Sequence, residues 1–203
     1  MQRPLLIIDM QRGNVSEYNR FAPSSIASLI KAELFDPIIF TRFVNTPECP
    51  ARLFLEKTDF QDFQTAGMDP KISEVMGATV PGLDNYGVTD LGQGFGGHRY
   101  LLTKNIYSAV TPEFEELLSQ LNLDNTGMYI VGADTECQIM KTALDLFERG
   151  VEPIVFAEFC GSHRGLGMHQ RGLELLVELI GKDRVIRDYM PLRQRWERAK
   201  RGQ

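Results

Sequence analysis

The chain has 203 residues, of which 43% are hydrophobic, and a formal net charge of −5 at pH 7. This length and composition predict a single domain over residues 1–203, with enough apolar side chains for a sizeable core. The acidic balance argues against a nucleic-acid binder, which needs a basic surface to displace counterions from phosphates, so we expect a small-molecule partner and no nucleic acid.

The cysteines and the apolar runs indicate the cellular compartment of the protein. Cys49, Cys137 and Cys160 are odd in number and lack the spacing of metal ligands. No basic-then-apolar signal opens the chain, and its apolar runs are far shorter than the roughly 20 residues that span a bilayer. We therefore expect a soluble, cytoplasmic protein that has no membrane contact.

Apolar runs of strand length alternate with segments of helical period through most of the sequence. This alternation predicts the α/β class, with a parallel sheet covered by helices on both faces. The predicted strands are continuous apolar runs, as is typical of buried parallel strands. There are six of them, at residues 4–10, 37–43, 99–104, 127–133, 152–158 and 183–187.

Two segments fall outside this alternation. Residues 44–98 contain several glycines and prolines and little periodicity, and long irregular stretches of this kind usually carry a pocket or an interface. Residues 189–203 form a basic C-terminal tail that holds Trp196, the single tryptophan. We expect this tail to be either solvated or a subunit contact.

Three polar side chains lie at predicted strand ends, where open parallel sheets bind ligands. Asp9 closes the first strand and could be a general base or a simple turn residue. Lys104 ends the third strand and could stabilise negative charge or be a solvated strand end. Cys137 lies in the first turn of the helix after the fourth strand, where the dipole favours a thiolate, although a small buried apolar residue is an equal alternative.

These residues and their surroundings resemble the isochorismatase-like superfamily of cysteine hydrolases, which includes nicotinamidases and N-carbamoylsarcosine amidohydrolases. The segment "LLIIDMQ" resembles the one that carries the family's catalytic aspartate, here Asp9. The segment "TKNIYSAV" resembles the one with the catalytic lysine, here Lys104, and "VGADTECQIMKTALDLFERG" resembles the nucleophile helix. The resemblance implies a three-layer α/β/α domain with a six-stranded, mainly parallel sheet, and a homo-oligomer.

The resemblance also implies a reaction. In the family's amidases the aspartate deprotonates a thiol, the thiolate attacks a carbonyl to give a thioester, the lysine assists electrostatically, and water completes hydrolysis. Backbone N–H groups at the helix start hold the oxyanion beside a cis peptide, which maps to Ala133–Asp134. We expect no cofactor and no metal, because the histidines that hold the metal of nicotinamidases have no counterpart after the second strand.

The nucleophile segment departs from the family pattern at the reactive position. An ungapped match puts Gln138, a carboxamide, where the cysteine is expected, with matching residues on both sides. The flanking matches are Gly132, Thr135, Glu136, Ile139, Thr142 and Ala143. Cys137 then lies one residue early, about 100° around the helix, and becomes the nucleophile only if the register slips. Gln138 also fits a capping box with Thr135.

Two functions follow from these observations. The first is a hydrolase that cleaves an amide C–N bond or an enol-ether bond of a small molecule. Vinyl-ether-cleaving relatives that can lack the cysteine suggest that Asp9 and Lys104 would suffice for the second of these reactions. The alternative, motivated by Gln138, is a catalytically silent family member that binds a metabolite or serves as a subunit of an assembly.

Overall fold

A central β-sheet organises the fold in this computed structural model, which describes residues 3–77, 80–123 and 126–200. Within these ranges the strands are β1 (Leu5–Ile8), β2 (Ile38–Phe43), β3 (Gly87–Gly94), β4 (Gly97–Lys104), β5 (Met128–Ala133), β6 (Pro153–Gly161) and β7 (Val185–Ile186). Their order in the sheet is β3-β4-β2-β1-β5-β6-β7. All neighbours pair in parallel except β3 and β4, which are antiparallel. The predicted α/β class with a mainly parallel sheet is confirmed.

Helices cover both faces of this sheet. They are α1 (Ala22–Lys31), α2 (Pro50–Leu55), α3 (Pro70–Met76), α4 (Pro112–Gln120), α5 (Met140–Glu148), α6 (Leu166–Ile180) and α7 (Met190–Lys200). Apolar residues of α4, α5 and α6 form one buried cluster with the sheet, and those of α1, α3 and α7 form a second. The result is a three-layer α/β/α arrangement. Among the described residues, no helix is long and apolar enough to cross a membrane.

The strand β1 shows why the buried strands are continuous apolar runs. Successive side chains of a strand point to opposite faces of the sheet. Leu6 and Ile8 therefore join the cluster of α4, α5 and α6, while Leu5 and Ile7 join the cluster on the other face. All four residues are completely buried.

The sheet has seven strands rather than the predicted six, because β3 lies within residues 44–98, which the sequence indicated to be irregular. Its sequence, GVTDLGQG, holds three glycines and is only partly buried. An edge strand that pairs with one neighbour needs no continuous apolar run, so the pattern that reveals the other strands is missing here. The last predicted strand, at residues 183–187, is reduced to Val185–Ile186.

The C-terminal segment is a helix that packs on the sheet through Trp196, so it is not a fully solvated tail, and a subunit contact through its exposed side stays a prediction. The ring of Trp196 on α7 lies edge-on to Phe35 and Tyr129, with centroid distances of 5.6 and 5.3 Å. The guanidinium carbon of Arg3 lies 4.7 Å from the Trp196 ring centroid. Trp196 is 9% exposed, so it belongs to the core rather than to solvent.

We expect Trp196→Ala to lower the free energy of unfolding by about 3–5 kcal/mol, because it removes a large side chain from a packed aromatic cluster. Chemical denaturation followed by circular dichroism would measure the change. Arg195→Ala on the exposed side of the same helix is the matched control, with an expected change of about 0.5 kcal/mol or less. An equal loss in both variants would contradict the packing role of Trp196.

Candidate functional site

The sequence-predicted site residues converge at the carboxyl ends of neighbouring strands. Asp9 directly follows β1, Lys104 is the last residue of β4, and the turn at Ala133–Asp134 ends β5. The strands β4, β2, β1 and β5 lie next to one another in this order in the sheet. The three segments therefore meet at one edge. This is the edge at which open α/β sheets bind ligands.

Asp9 and Lys104 form a buried ion pair at this edge. Lys104 Nζ donates to Asp9 Oδ2 at 2.7 Å, and both side chains are 0% exposed. The hydroxyl of Thr41 on β2 donates to Asp9 Oδ1 at 2.5 Å. Lys104 Nζ also donates to the backbone carbonyls of Ile106 and Tyr107, at 3.1 and 3.2 Å. Each charge therefore has several hydrogen-bond partners, which a buried pair needs to offset its lost hydration.

The backbone around Asp9 is fixed by polar side chains. Asp9 has a φ of 43°, in the left-handed region that Asp tolerates better than most residues. Its carbonyl accepts from the side chain of Asn14 at 2.9 Å, and its N–H donates to Thr41 Oγ1 at 3.0 Å. Gln11 ties the segment to β2 by exchanging two hydrogen bonds with the backbone of Phe43, at 2.7 and 2.9 Å.

The turn after β5 has an unusual backbone. Gly132 has a φ of 126°, and a Cβ at this position would lie 2.2 Å from the carbonyl oxygen of Ile8 on β1, so only glycine fits. The peptide between Ala133 and Asp134 is cis, at the position that the family resemblance implies. A single π-helical turn, Thr135–Ile139, then leads into α5.

Gln138 folds back onto this turn. Its side-chain Oε1 accepts a hydrogen bond from the backbone N–H of Asp134 at 3.2 Å, and the residue is 6% exposed. The capping box predicted with Thr135 does not form, because the glutamine bonds residue 134, while the Thr135 hydroxyl bonds the carbonyl of Gly161 at 3.2 Å and His169 Nδ1 at 2.7 Å. The carboxamide oxygen thus takes one N–H of the turn to which the resemblance assigns oxyanion binding.

Cys137 is half-buried beside two adjacent cavities. The large chamber has a volume near 510 Å³ and is lined mostly by apolar side chains. The small chamber has a volume near 70 Å³ and a polar lining that includes Asn45, His163 and Arg164. Four residues border both chambers, namely Phe43, Ala51, Tyr107 and Cys137.

Among the described residues, the Cys137 thiol has no hydrogen bond to the ion pair. In the described part of the chain, neither Asp9 nor Lys104 lines either chamber, whereas Cys137 lines both and Gln138 lines the small one. Burial raises the pKa of the Cys137 thiol, and the nearby cations of Arg164 and Lys57 only partly offset this. The thiol is therefore protonated at neutral pH, and the catalytic role of Cys137 after a register slip stays a prediction.

The sequence analysis missed the pairing of Asp134 with His163. His163 Nδ1 lies 2.5 Å from Asp134 Oδ2, and the His163 backbone N–H donates to Asp134 Oδ1 at 2.9 Å. The position of His163 in the sequence could have indicated this pairing. His163 lies just after β6, whose carboxyl end adjoins that of β5. His98 instead bonds Asp90 of β3 at 2.6 Å. Within the described ranges, no cluster of three or more His, Cys, Asp or Glu residues could hold a metal ion.

Removing Lys104 should destabilise the fold. Lys104→Met leaves the Asp9 carboxylate buried without its counter-charge, and breaking a buried pair in this way costs about 3–5 kcal/mol of unfolding free energy. Denaturant titration would measure it. The double variant Asp9→Asn, Lys104→Met removes both charges and should lose less than Lys104→Met alone. A larger loss in the double variant would contradict the coupling of the two residues.

The pairing with Asp134 should also affect the titration of His163. The carboxylate raises the pKa of His163 above its ordinary value of 6.5. The pair therefore contributes fully to stability below that value, and the contribution is lost as the pH rises through the raised pKa. In an NMR titration, Asp134→Asn should lower the His163 pKa. An unchanged His163 pKa in Asp134→Asn would contradict the pairing.

Comparisons with known proteins agree with this fold. Isochorismatase domain-containing protein 2 of Xenopus laevis is 38% identical over 87 residues, which are 43% of this chain and 37% of that relative. The nicotinamidase/pyrazinamidase structure of Bacillus subtilis is similar with a TM-score of 0.70 and 16% identity, covering 92% of this chain and 100% of that one. The N-carbamoylsarcosine amidase structure of Thermoplasma acidophilum has a TM-score of 0.59 and 16% identity, covering 92% and 96%. The sequence profile of the isochorismatase domain matches residues 4–182, and the chain therefore belongs to the isochorismatase-like hydrolase family.

Proposed function

We propose that this chain binds a small molecule in the two chambers and does not carry out the family's thioester hydrolysis at residue 138. The hydrogen bond from the Asp134 N–H to Gln138 Oε1, at 3.2 Å, carries the proposal. A carboxamide does not act as a nucleophile. Its oxygen also occupies a donor that would otherwise be free to stabilise a developing oxyanion.

The state of the ion pair supports the same proposal. A general base must lie within hydrogen-bond reach of the proton that it abstracts, directly or through one water. Asp9 has its two oxygens engaged by Thr41 and Lys104, and its side chain is completely buried. With Gln138 in place of a thiol, this carboxylate has no nucleophile to activate at that position.

The large chamber supports ligand binding. Its volume near 510 Å³ falls within the roughly 300–1,000 Å³ of typical small-molecule sites. Apolar side chains such as Phe43, Ile106 and Met140 line it, together with a few polar groups that include Asn105 and Ser108. An apolar wall with a few polar contacts is suited to a small organic molecule rather than to an ion.

A hydrolase that cleaves an amide C–N bond or an enol-ether bond is the second candidate. The intact contact between Asp9 and Lys104 favours it, because this is the acid–base and cation pair that such chemistry would use. Two of the similar structures are named as amidases. In this alternative, a ligand would have to reach the buried carboxylate past Gln138.

Assembly and location belong to the same proposal. We propose a cytoplasmic homo-oligomer that does not bind nucleic acid, in keeping with the net charge of −5. Helix α2 supports a subunit contact, because Leu53, Phe54 and Leu55 are consecutive apolar residues that are 59%, 79% and 59% exposed. The native mass of the purified chain, from light scattering, is the test, and a monomer would contradict the proposal.

Restoring a thiol at position 138 tests the proposed function. Gln138→Cys should form a covalent thioester with members of a panel of primary amides, detected as a mass increase on residue 138. The wild-type chain should form none at that residue, because it lacks the nucleophile there. Gln138→Ala is the matched control, since it removes the carboxamide without adding a thiol.

Binding is measured separately, by thermal shift with a library of small neutral and charged molecules. A ligand at about 100 times its Kd should stabilise the wild-type chain by about 2.7 kcal/mol. Substituting Met140 with Trp should fill the large chamber and abolish that shift. Wild-type turnover of an amide or an enol ether that Asp9→Asn removes would overturn the proposal in favour of the hydrolase.

A further inference from the structure

Three residues that can act together in nucleophilic chemistry line the small chamber. They are the Cys137 thiol, the His163 imidazole and the Asp134 carboxylate. The family mechanism, which uses an aspartate, a lysine and a thiol one residue further on, assigns no role to His163. Asp134 holds His163 in place, and the Cys137 thiol borders the same chamber as this histidine. Proteins activate cysteine nucleophiles with a histidine that a third group orients.

The carboxylate of Asp134 fixes the orientation of the imidazole. Its side chain is 1% exposed, and it holds both the ring Nδ1 and the backbone N–H of His163, at 2.5 and 2.9 Å. Because Nδ1 donates to the carboxylate, the proton of the neutral ring is on Nδ1 and the lone pair is on Nε2. No described residue bonds Nε2, and the His163 side chain is 38% exposed, so this nitrogen remains available to a group in the chamber.

The surroundings of Cys137 require such a base. The thiol is partly buried, which raises its pKa, so a thiolate does not form unaided at neutral pH. The charged groups around it are Lys57 and Arg164, which favour the thiolate, and Asp134 and Glu136, which oppose it. The two cations are also placed to favour negative charge that develops on a substrate at this thiol.

An unused acceptor in the same chamber points to a ligand. Asn45 is 3% exposed, and its Nδ2 donates to the backbone carbonyls of Lys57 and Asp59, at 2.8 and 2.9 Å. Its Oδ1 has no hydrogen-bond partner among the described residues. An unpaired buried acceptor is costly, and a bound molecule with an N–H or O–H group would satisfy it.

We infer that Cys137 is a second nucleophile, with His163 as its general base and Asp134 as the positioning residue, acting on activated esters that have an apolar acyl group. The large chamber, which shares the Cys137 wall, accommodates the acyl group. The site goes beyond the proposed function, because it uses neither residue 138 nor the ion pair of Asp9 and Lys104.

The reaction has two balanced steps. In the first, His163 Nε2 takes the thiol proton while Cys137 Sγ bonds the ester carbonyl carbon. The C–O bond then breaks, and the leaving alcohol takes the proton from the imidazolium, which leaves an acyl-thioester. In the second step, His163 Nε2 takes a proton from water as the water oxygen attacks the thioester. The carboxylic acid leaves, and the proton returns to the sulfur.

Acylation by p-nitrophenyl butyrate tests the inference. The wild-type chain should release p-nitrophenol and gain one butyryl group, which peptide mass spectrometry should locate on Cys137. Cys137→Ala should abolish this adduct. His163→Gln should slow acylation by about 100-fold, in line with the loss of a general base. His98→Gln is the matched control, because His98 also pairs with an aspartate, Asp90, and it should acylate at the wild-type rate.

The pH profile of wild-type alkylation by iodoacetamide gives a second readout that needs no variant. Because Asp134 raises the pKa of His163 above its ordinary 6.5, the rate at Cys137 should rise with pH as the imidazole becomes neutral and then level off. A thiol without a base would instead show a rate that keeps rising beyond 9.0. The charges facing the site that set the plateau are Lys57, Asp59, Asp134, Glu136 and Arg164.

Three results would overturn the inference. They are the absence of butyryl on Cys137, equal acylation rates in the wild-type chain and a folded His163→Gln variant, and a pH profile without the plateau. If His163→Gln does not fold, His163→Asn and the wild-type profile decide the question. None of these results depends on residue 138, so the inference and the proposed function can fail independently.

Discussion

The burial of two opposite charges at the carboxyl edge of the sheet is the constraint on which the site depends. Asp9 and Lys104 have lost their hydration completely, and each is tolerated only because the other charge and several hydrogen bonds replace the water. These bonds come from β2 through Thr41 and from the carbonyls that follow β4. The pair therefore joins β1, β2 and β4 at one point.

The turn after β5 has a backbone that accommodates a glutamine at residue 138. Gly132 lies against β1 so closely that no side chain fits, which fixes where the turn leaves the sheet. Residue 138 then lies beside the turn, and its side-chain oxygen accepts a hydrogen bond from the N–H of Asp134. The glutamine satisfies a backbone N–H in this position, and the ion pair of Asp9 and Lys104 is formed in the same structure.

The same turn directs Cys137 and Asp134 away from the ion pair and toward the small chamber. Consecutive residues of a helix point about 100° apart, so their side chains face different surroundings. Gln138 bonds the turn, whereas Cys137 borders both chambers, and Asp134 holds His163, which lies just after the neighbouring strand β6. Two chemically distinct sets of residues therefore share one helix start.

The sequence by itself determined the class of fold, the buried strands and the three segments of the site. Strands covered on both faces must be apolar at every position, and this leaves a pattern that needs no knowledge of their neighbours. The strand β3 and the burial of Trp196 left no such pattern, because an edge strand and a terminal helix depend on which surface they meet. Only the tertiary structure decided that Asp134 meets His163, 29 residues later in the chain, and that Asp9 meets Lys104, 95 residues later. The order of the strands in the sheet decides which of these distant residues meet. Local periodicity carries no information about that order.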